Sequence, residues 1–296
     1  MKRIRPFRYF EASTVPEAVR ILAREGAGTY PLAGGTDLLV RMKRGDLKPA
    51  ALVNLKHIPG LDGIELEPGE GVRIGALALI SAIEQSALVR KSHPVLAGAA
   101  GVLGSPSIRN LGTLGGNIGR ASPASDMAPS LLILRARMSL QGPQGKREVQ
   151  VREFFKGPGE TVLSSGELIT SFLLPEMASG SGAAYERIGR REGVDCALVG
   201  VAASVTLSGK DRGLKDAGVA LAAVAPVPLW AKKAEEVLLS GSLTEERMRE
   251  TARAAAVDCF PISDMRASGS YRKEMVQVLT YRALARALRL AEGGQA

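Results

Sequence analysis

Apolar positions first recur at helical spacing after residue 14, where Ala18, Val19, Leu22 and Ala23 share one face. Thr14-Val15-Pro16-Glu17 precedes them as a capping box, and Gly26 and Gly28 end the helix. A short strand over residues 29–32 leads into Ala33-Gly34-Gly35-Thr36-Asp37. From this loop departs a helix over 38–44, capped by Asp37 or Thr36 and stopped by Gly45. Alternation predicts a strand over 51–55 and a hairpin of 63–66 with 72–76 around Glu67-Pro68-Gly69-Glu70. Ser81-Ala82-Ile83-Glu84 reads as a second capping box that opens a helix to about Val89, and 94–103 reads as another apolar helix, with His93 in the turn before it. The run 127–134 suits a buried helix or a buried strand equally well. Residues 138–140 pair with 147–151, and 167–174 form a strand stopped by Pro175.

Ala178-Ser179-Gly180-Ser181-Gly182 is small and polar, as a linker is. Beyond it the pattern changes to long alternating strands at about 184–191, 196–208 and 214–224. The last two are joined through Ser208-Gly209-Lys210-Asp211. Helices near 231–239, 244–257 and 270–291 follow. Strands followed by helices describe an α+β layer, an antiparallel sheet with helices on one face. The 296 residues suffice for two domains, each with its own core.

Composition removes several function classes. A net charge of +9 suggests a nucleic-acid surface, but the basic residues are scattered, Arg187, Arg190 and Arg191 forming the densest group, and no aromatic side chains interleave with them to stack bases. That arginine group reads either as a solvated face or as charge for a reduced ligand or a partner. Cys196 and Cys259 stand too far apart for a metal or cluster motif, so an iron–sulfur centre would have to sit on another chain. His57 and His93 lie near no cysteine or acidic motif, which argues against a histidine metal site or a Ser-His-Asp hydrolase; neither a catalytic nor a metal-ligating set is assigned. No apolar run approaches the roughly 20 residues that span a bilayer, and the N-terminus lacks a signal-peptide core, so the expected location is the cytoplasm.

What remains is the long turn-forming stretch 103–132, with Gly112-Thr113-Leu114-Gly115-Gly116-Asn117-Ile118-Gly119 at its centre. Each glycine costs roughly 0.5–1 kcal/mol in a helix or strand interior, so these residues supply something else. Glycine allows positive φ and lets bare N–H groups approach phosphate oxygens. Ser122, Ser125 and Asp126 follow, able to meet sugar or polyol hydroxyls. The strand-glycine-helix pattern at 33–37 is a second anion-site candidate. Neither loop is followed by Gly-Lys-Ser/Thr, and neither has the G-x-G-x-x-G spacing of the usual dinucleotide fold. Two separated loops suit an extended ligand with a pyrophosphate and a polyol; a glycine-rich connection without a ligand is the plain alternative.

Pro31–Leu38, Thr113–Ile118 and Ala121–Asp126 together resemble the flavin-binding signatures of the FAD subunit of the molybdenum hydroxylases, the xanthine dehydrogenase, carbon monoxide dehydrogenase and 4-hydroxybenzoyl-CoA reductase relatives. The resemblance extends to Glu167-Leu168-Ile169, Asp195-Cys196-Ala197, Pro226-Val227-Pro228, Ser263–Ser268 and Tyr271-Arg272. It implies a FAD-binding domain of the vanillyl-alcohol oxidase (PCMH) type over 1–177, split into subdomains of about 1–56 and 57–177. A C-terminal α+β domain of the CO dehydrogenase flavoprotein type is implied over 183–292. It places Leu32, Ala33, Gly34, Gly35, Thr36 and Asp37 with Thr113, Leu114, Gly115, Gly116 and Asn117 around the pyrophosphate, mainly through backbone N–H groups. Ser122, Ser125 and Asp126 would meet the hydroxyls, Leu103, Gly104 and Ser105 would border the flavin, and Ile169 would lie beside the adenosine or the ring. Cys196 stands where some relatives carry a larger residue over the isoalloxazine, so a thiol there would shield the flavin less; the plain reading is a buried strand cysteine.

The function implied is a flavoprotein oxidoreductase subunit that passes electrons from iron–sulfur clusters on a small subunit through FAD to an external acceptor, beside a large molybdopterin subunit, in a dimer of heterotrimers (a heterohexamer). Two rivals are a stand-alone flavin reductase of the UDP-N-acetylenolpyruvoylglucosamine reductase type and a non-catalytic bridging subunit.

Overall fold

The computed structural model describes residues 4–191, 193–208 and 213–294. Its chain begins with β1 (Arg8–Glu11), α1 (Val15–Glu25), β2 (Thr29–Leu32), α2 (Leu38–Arg44) and β3 (Ala51–Asn54). The three strands form a parallel sheet in the order β1-β3-β2. Thr14 caps α1 as expected, its Oγ1 accepting from Glu17 N at 3.3 Å, while Glu17 Oε2 reaches back to Ser13 N at 2.8 Å. The buried face is Ala18, Val19, Ile21 and Leu22; Ala23, expected on it, points to solvent.

Next come β4 (Ile64–Glu67), β5 (Gly71–Gly75), α3 (Ile80–Gln85), α4 (Ala87–Ser92), α5 (Pro94–Val102), α6 (Pro106–Arg109), α7 (Leu114–Gly119) and α8 (Met127–Ile133). Strands β6 (Arg137–Gly142), β7 (Gly145–Gln150), β8 (Phe155–Gly157), β9 (Glu160–Thr161) and β10 (Leu168–Pro175) follow. An antiparallel sheet runs β4-β5-β10-β6-β7, with β8 and β9 paired apart from it. The second capping box is not formed: α3 starts one residue before Ser81, after Leu79. Tertiary structure supplies its partners instead, since Ile80 N donates to Gly112 O at 2.9 Å and Leu79 bridges Thr113. The expected continuous helix to Val89 breaks at Ser86, which caps α4 through Val89 N at 3.3 Å. His93 is buried, its ring nitrogens 2.9 Å from Ser92 Oγ and from Pro175 O, and burial pushes its pKa down.

The remainder comprises β11 (Ser181–Ile188), β12 (Val199–Leu207), β13 (Leu214–Ala222) and β14 (Leu229–Trp230), then α9 (Lys232–Leu239), α10 (Glu245–Val257) and α11 (Gly269–Ala291). The strands make an antiparallel meander in chain order. Of the turn expected between its second and third strands, Gly209–Asp211 lie outside the described residues. Ser181 and Gly182, read as linker, open β11.

Alternation gives this sheet two different faces. Val199, Val201, Ala203 and Val205 pack with Leu238, Val276 and Leu284 of the following helices. The opposite face carries Ala183, Ala202 and Ala220, which join the core containing Met127 and Leu131 of α8. The apolar run at 127–134 is therefore a helix, and every residue of α8 is buried because both of its sides are covered. The small residues let α8 lie close against the strands.

Close approach also explains Gly182, whose missing side chain leaves room for the Ala287 carbonyl of α11. We expect Gly182→Ala to destabilise the chain by about 1–3 kcal/mol in denaturant unfolding. Gly98, exposed in α5 with nothing within 4 Å of an added Cβ, is the control: Gly98→Ala should stabilise by about 0.5–1 kcal/mol.

Candidate cofactor-binding site

The two glycine loops, about 80 residues apart in sequence, meet in space. Gly34 leaves no room for a Cβ because Leu111 O occupies that position, and an added Cβ on Gly116 would stand 4.0 Å from the Ala33 side chain. A Cβ on Gly112 would lie 3.7 Å from Thr36 Oγ1. Asp37 Oδ2 lies 2.7 Å from Arg120 Nε, the residue that ends α7. Ile169 completes this cluster from β10, its Cδ1 3.5 Å from the position of a Gly119 Cβ.

The glycines divide by role. Gly34 and Gly115 are required by packing, since a Cβ on Gly115 would come within 2.7 Å of Ala76 O. Gly35 has φ +71°, a left-handed conformation that other residues adopt at a cost. Gly116 is exposed, and the nearest atom to its added Cβ is Thr113 Oγ1 at 2.9 Å.

Free donors are unequally distributed between the loops. Among the described residues, no acceptor meets the backbone N–H of Gly34, Gly35, Thr36 or Asp37. The second loop satisfies its own: Leu114 N donates to Ala78 O at 3.0 Å, Gly115 N to Ala76 O at 2.8 Å, Gly116 N to Thr113 Oγ1 at 3.1 Å and Asn117 N to Thr113 O at 2.9 Å. The expectation that 113–117 present bare N–H groups is thus corrected for 114–117: Thr113, as the cap of α7, takes the Gly116 and Asn117 donors, and the Ala78 and Ala76 carbonyls take those of Leu114 and Gly115. Asp37, expected as a possible cap of α2, makes no capping hydrogen bond because its carboxylate turns to Arg120.

A polar chain runs from the second loop to the C-terminal sheet. Ser125 Oγ donates to Asn117 Oδ1 at 2.6 Å and accepts from Ala128 N at 3.2 Å, steadying the start of α8. Ser122 Oγ accepts from Ala124 N at 3.3 Å. Asp126 is buried; its Oδ1 accepts from Tyr185 Oη at 2.8 Å and lies 3.4 Å from Arg187 Nε. Gly200 makes the Tyr185 contact possible, since a Cβ there would sit 2.6 Å from the phenol oxygen. Arg187 also donates to Val102 O at 2.7 Å and to Asp195 O at 2.8 Å.

These bonds bring the third group of expected residues alongside. Leu103 follows α5, Ser105 caps α6 through Ile108 N at 3.2 Å, and Gly104 O accepts from Val194 N at 3.1 Å. Cys196 is exposed in the segment before β12, so the reading as a buried strand cysteine is wrong; the buried thiol is Cys259. Arg187 is not part of a solvated arginine face either, having 11% of its side chain exposed. Sequence reasoning missed Tyr185 and Arg120. The first shares its strand face with Arg187 at i, i+2 spacing, and the second directly follows the glycine run.

Burial pushes the Asp126 carboxyl up to about 6, against the pull of Arg187 and the Tyr185 hydrogen bond. Because this pKa is raised above its ordinary 3.8, the folded chain holds the proton more tightly than the unfolded one; the benefit is complete below 3.8 and is lost as pH rises to about 6. Relative to Asp126→Asn, wild type should therefore lose up to about 3 kcal/mol of unfolding free energy over that window in denaturant titrations. A difference that stays flat with pH would refute the assignment.

Residues 5–177 match the family described as FAD binding domain in molybdopterin dehydrogenase, and residues 183–287 match the CO dehydrogenase flavoprotein C-terminal domain. The carbon monoxide dehydrogenase medium chain of Hydrogenophaga pseudoflava is 34% identical over 278 residues, 94% of this chain and 96% of the relative. The glyceraldehyde dehydrogenase medium chain of Sulfolobus acidocaldarius is 33% identical over 94% of this chain and 96% of its own length. A solved structure of reconstituted CO dehydrogenase from Oligotropha carboxidovorans contains a chain that superposes with a TM-score of 0.92 at 33% identity, covering 97% of this chain and 99% of that one. These relatives are medium chains of multi-subunit dehydrogenases. Two family matches in order and full-length similarity lead to one conclusion: the chain belongs to the FAD-binding medium subunits of the molybdenum hydroxylase family.

Proposed function

We infer that this chain holds FAD between its two glycine loops and serves as the electron-transfer subunit of a molybdenum-containing hydroxylase or dehydrogenase. The observation that carries this is the meeting of 33–37 with 111–117, the first loop bringing four N–H groups that no acceptor among the described residues engages and the second an exposed Gly116. The site fits the cofactor in a further respect. Arg120 and Arg187 each bury an Nε that has a carboxylate at ion-pair distance but no aligned hydrogen bond, the first against Asp37 and the second against Asp126.

On this reading the N–H groups of 34–37 hold the pyrophosphate. Asn117, whose carbonyl is engaged by Ser125, turns its amide donor toward the ligand. Asp126 and Ser122 face the hydroxyls, and Leu103–Ser105 with Cys196 border the flavin, supported by Arg187. When bound, FAD supplies the redox chemistry, taking electrons from iron–sulfur centres of a small partner and passing them to an external acceptor. The protein excludes water and fixes orientation, so no general base is needed on this chain. The molybdopterin and the substrate pocket belong to a large partner, and the assembly is a dimer of heterotrimers in the cytoplasm. The cofactor domain extends through residue 177, with a division near 56, and the C-terminal domain spans 183–292.

Purified chain mixed with FAD should become yellow with one equivalent bound, and Gly116→Val should abolish uptake while the chain stays folded, with a lowered unfolding midpoint because the new Cβ crowds the Thr113 cap. Stoichiometric FAD in that variant would refute the placement. Co-purification with companion chains carrying molybdenum and iron separates this reading from a stand-alone reductase, for which the isolated chain would turn over NAD(P)H, and from a colourless bridging subunit.

A further inference from the structure

Asp37 presents an unexpected charge. Its carboxylate, 49% exposed, stands at the end of the run whose N–H groups are free, where a ligand with two phosphate charges would have to lie. A carboxylate there repels the ligand that the loop is built to accept. It does not repay this by capping α2, because its side chain makes no capping bond. Its nearest cation on its own helix, Arg41 Nη1, is 3.9 Å away.

The second loop supplies a closer cation. Arg120 Nε lies 2.7 Å from Asp37 Oδ2, and the hairpin of β8 and β9 comes close to the guanidinium: an added Cβ on Gly159 would stand 3.3 Å from its Nη1, while Gly159 N donates to Ala121 O at 2.9 Å. Ala121 has φ +48°, so the backbone directly after Arg120 adopts a left-handed turn that non-glycine residues rarely take. The turn, held to the hairpin through Gly159 N, and the ion pair together place the cation on the first loop. The Nε itself is buried and makes no aligned hydrogen bond.

We propose that Arg120 is a charge-compensating residue of the cofactor site: it neutralises Asp37 across the junction of the two loops, so that a pyrophosphate can approach the N–H groups of 34–37. This rests on the FAD reading above. Arg120 acts through Asp37, which makes the pair a salt-sensitive element of cofactor affinity and not merely a clamp.

The test is FAD titration of the full chain at low and at roughly 1 M salt, where exposed charges are screened beyond about 3 Å. Arg120→Ala should weaken FAD binding by about tenfold or more at low salt, because the Asp37 charge is left uncompensated beside the pyrophosphate, with a deficit that shrinks at high salt. Asp37→Asn alone should bind FAD more tightly than wild type at low salt, the Arg120 charge then being uncompensated, and Asp37→Asn with Arg120→Ala should recover most of the loss. Arg120→Gln, uncharged but of similar length, covers the case in which the alanine variant fails to fold. Equal affinity in Arg120→Gln and wild type overturns the proposal. So does a loss that neither salt nor Asp37→Asn relieves, because a purely structural role predicts that result. A wild-type chain that takes up no FAD removes the underlying reading and this proposal together, which is a separate outcome from FAD binding that ignores Arg120.

Discussion

Arg187 is the constraint to which the junction of α5, α8 and the C-terminal sheet is tied. It donates to the carbonyl at the end of α5 and to the Asp195 carbonyl, and it is the cation beside the buried Asp126 carboxylate. Three segments far apart in sequence are thereby fixed against one planar group. Its fork geometry suits this role, whereas a lysine ammonium on a flexible stem would not hold the same directions. A buried carboxylate persists only with a countercharge and hydrogen bonds, so Asp126 needs β11 as much as β11 needs a polar partner on α8's side of the sheet. Tyr185, one strand period away, satisfies the same oxygen.

Glycine does three different jobs within the two loops. At Gly34 and Gly115 it permits backbones to touch, at Gly35 it permits a left-handed turn, and only at Gly116 does it leave open surface. A glycine-rich string in sequence looks uniform, yet substitution would injure the fold at the first two, the loop conformation at the third and a ligand's approach at the last.

Local signals were legible where a residue's partner lay within a few positions. The Thr14 cap, the Gly45 stop and the strand at 29–32 all appear as the sequence implies. The meander and its three helices were legible from alternation and then from 3.6-residue periodicity. The failures share a cause, which is that a distant segment replaced the local partner. Ser81 is not a cap because Gly112 and Thr113 serve the start of α3; Ser181 and Gly182 are strand because α11 packs on them. The candidate site was legible as two loops but not as an assembly, since nothing near 33–37 announces Arg120 and nothing near Asp126 announces Tyr185.

Helix α8 begins immediately after Asp126 and is covered on one side by the core around α5 and on the other by the small-residue face of β12 and β13. A segment with two buried sides has no surface of its own to give up. The two halves of the chain therefore do not behave as interchangeable modules joined by a linker. They share one internal wall, and evolution can remodel the C-terminal sheet only in step with the helix that starts at the buried Asp126.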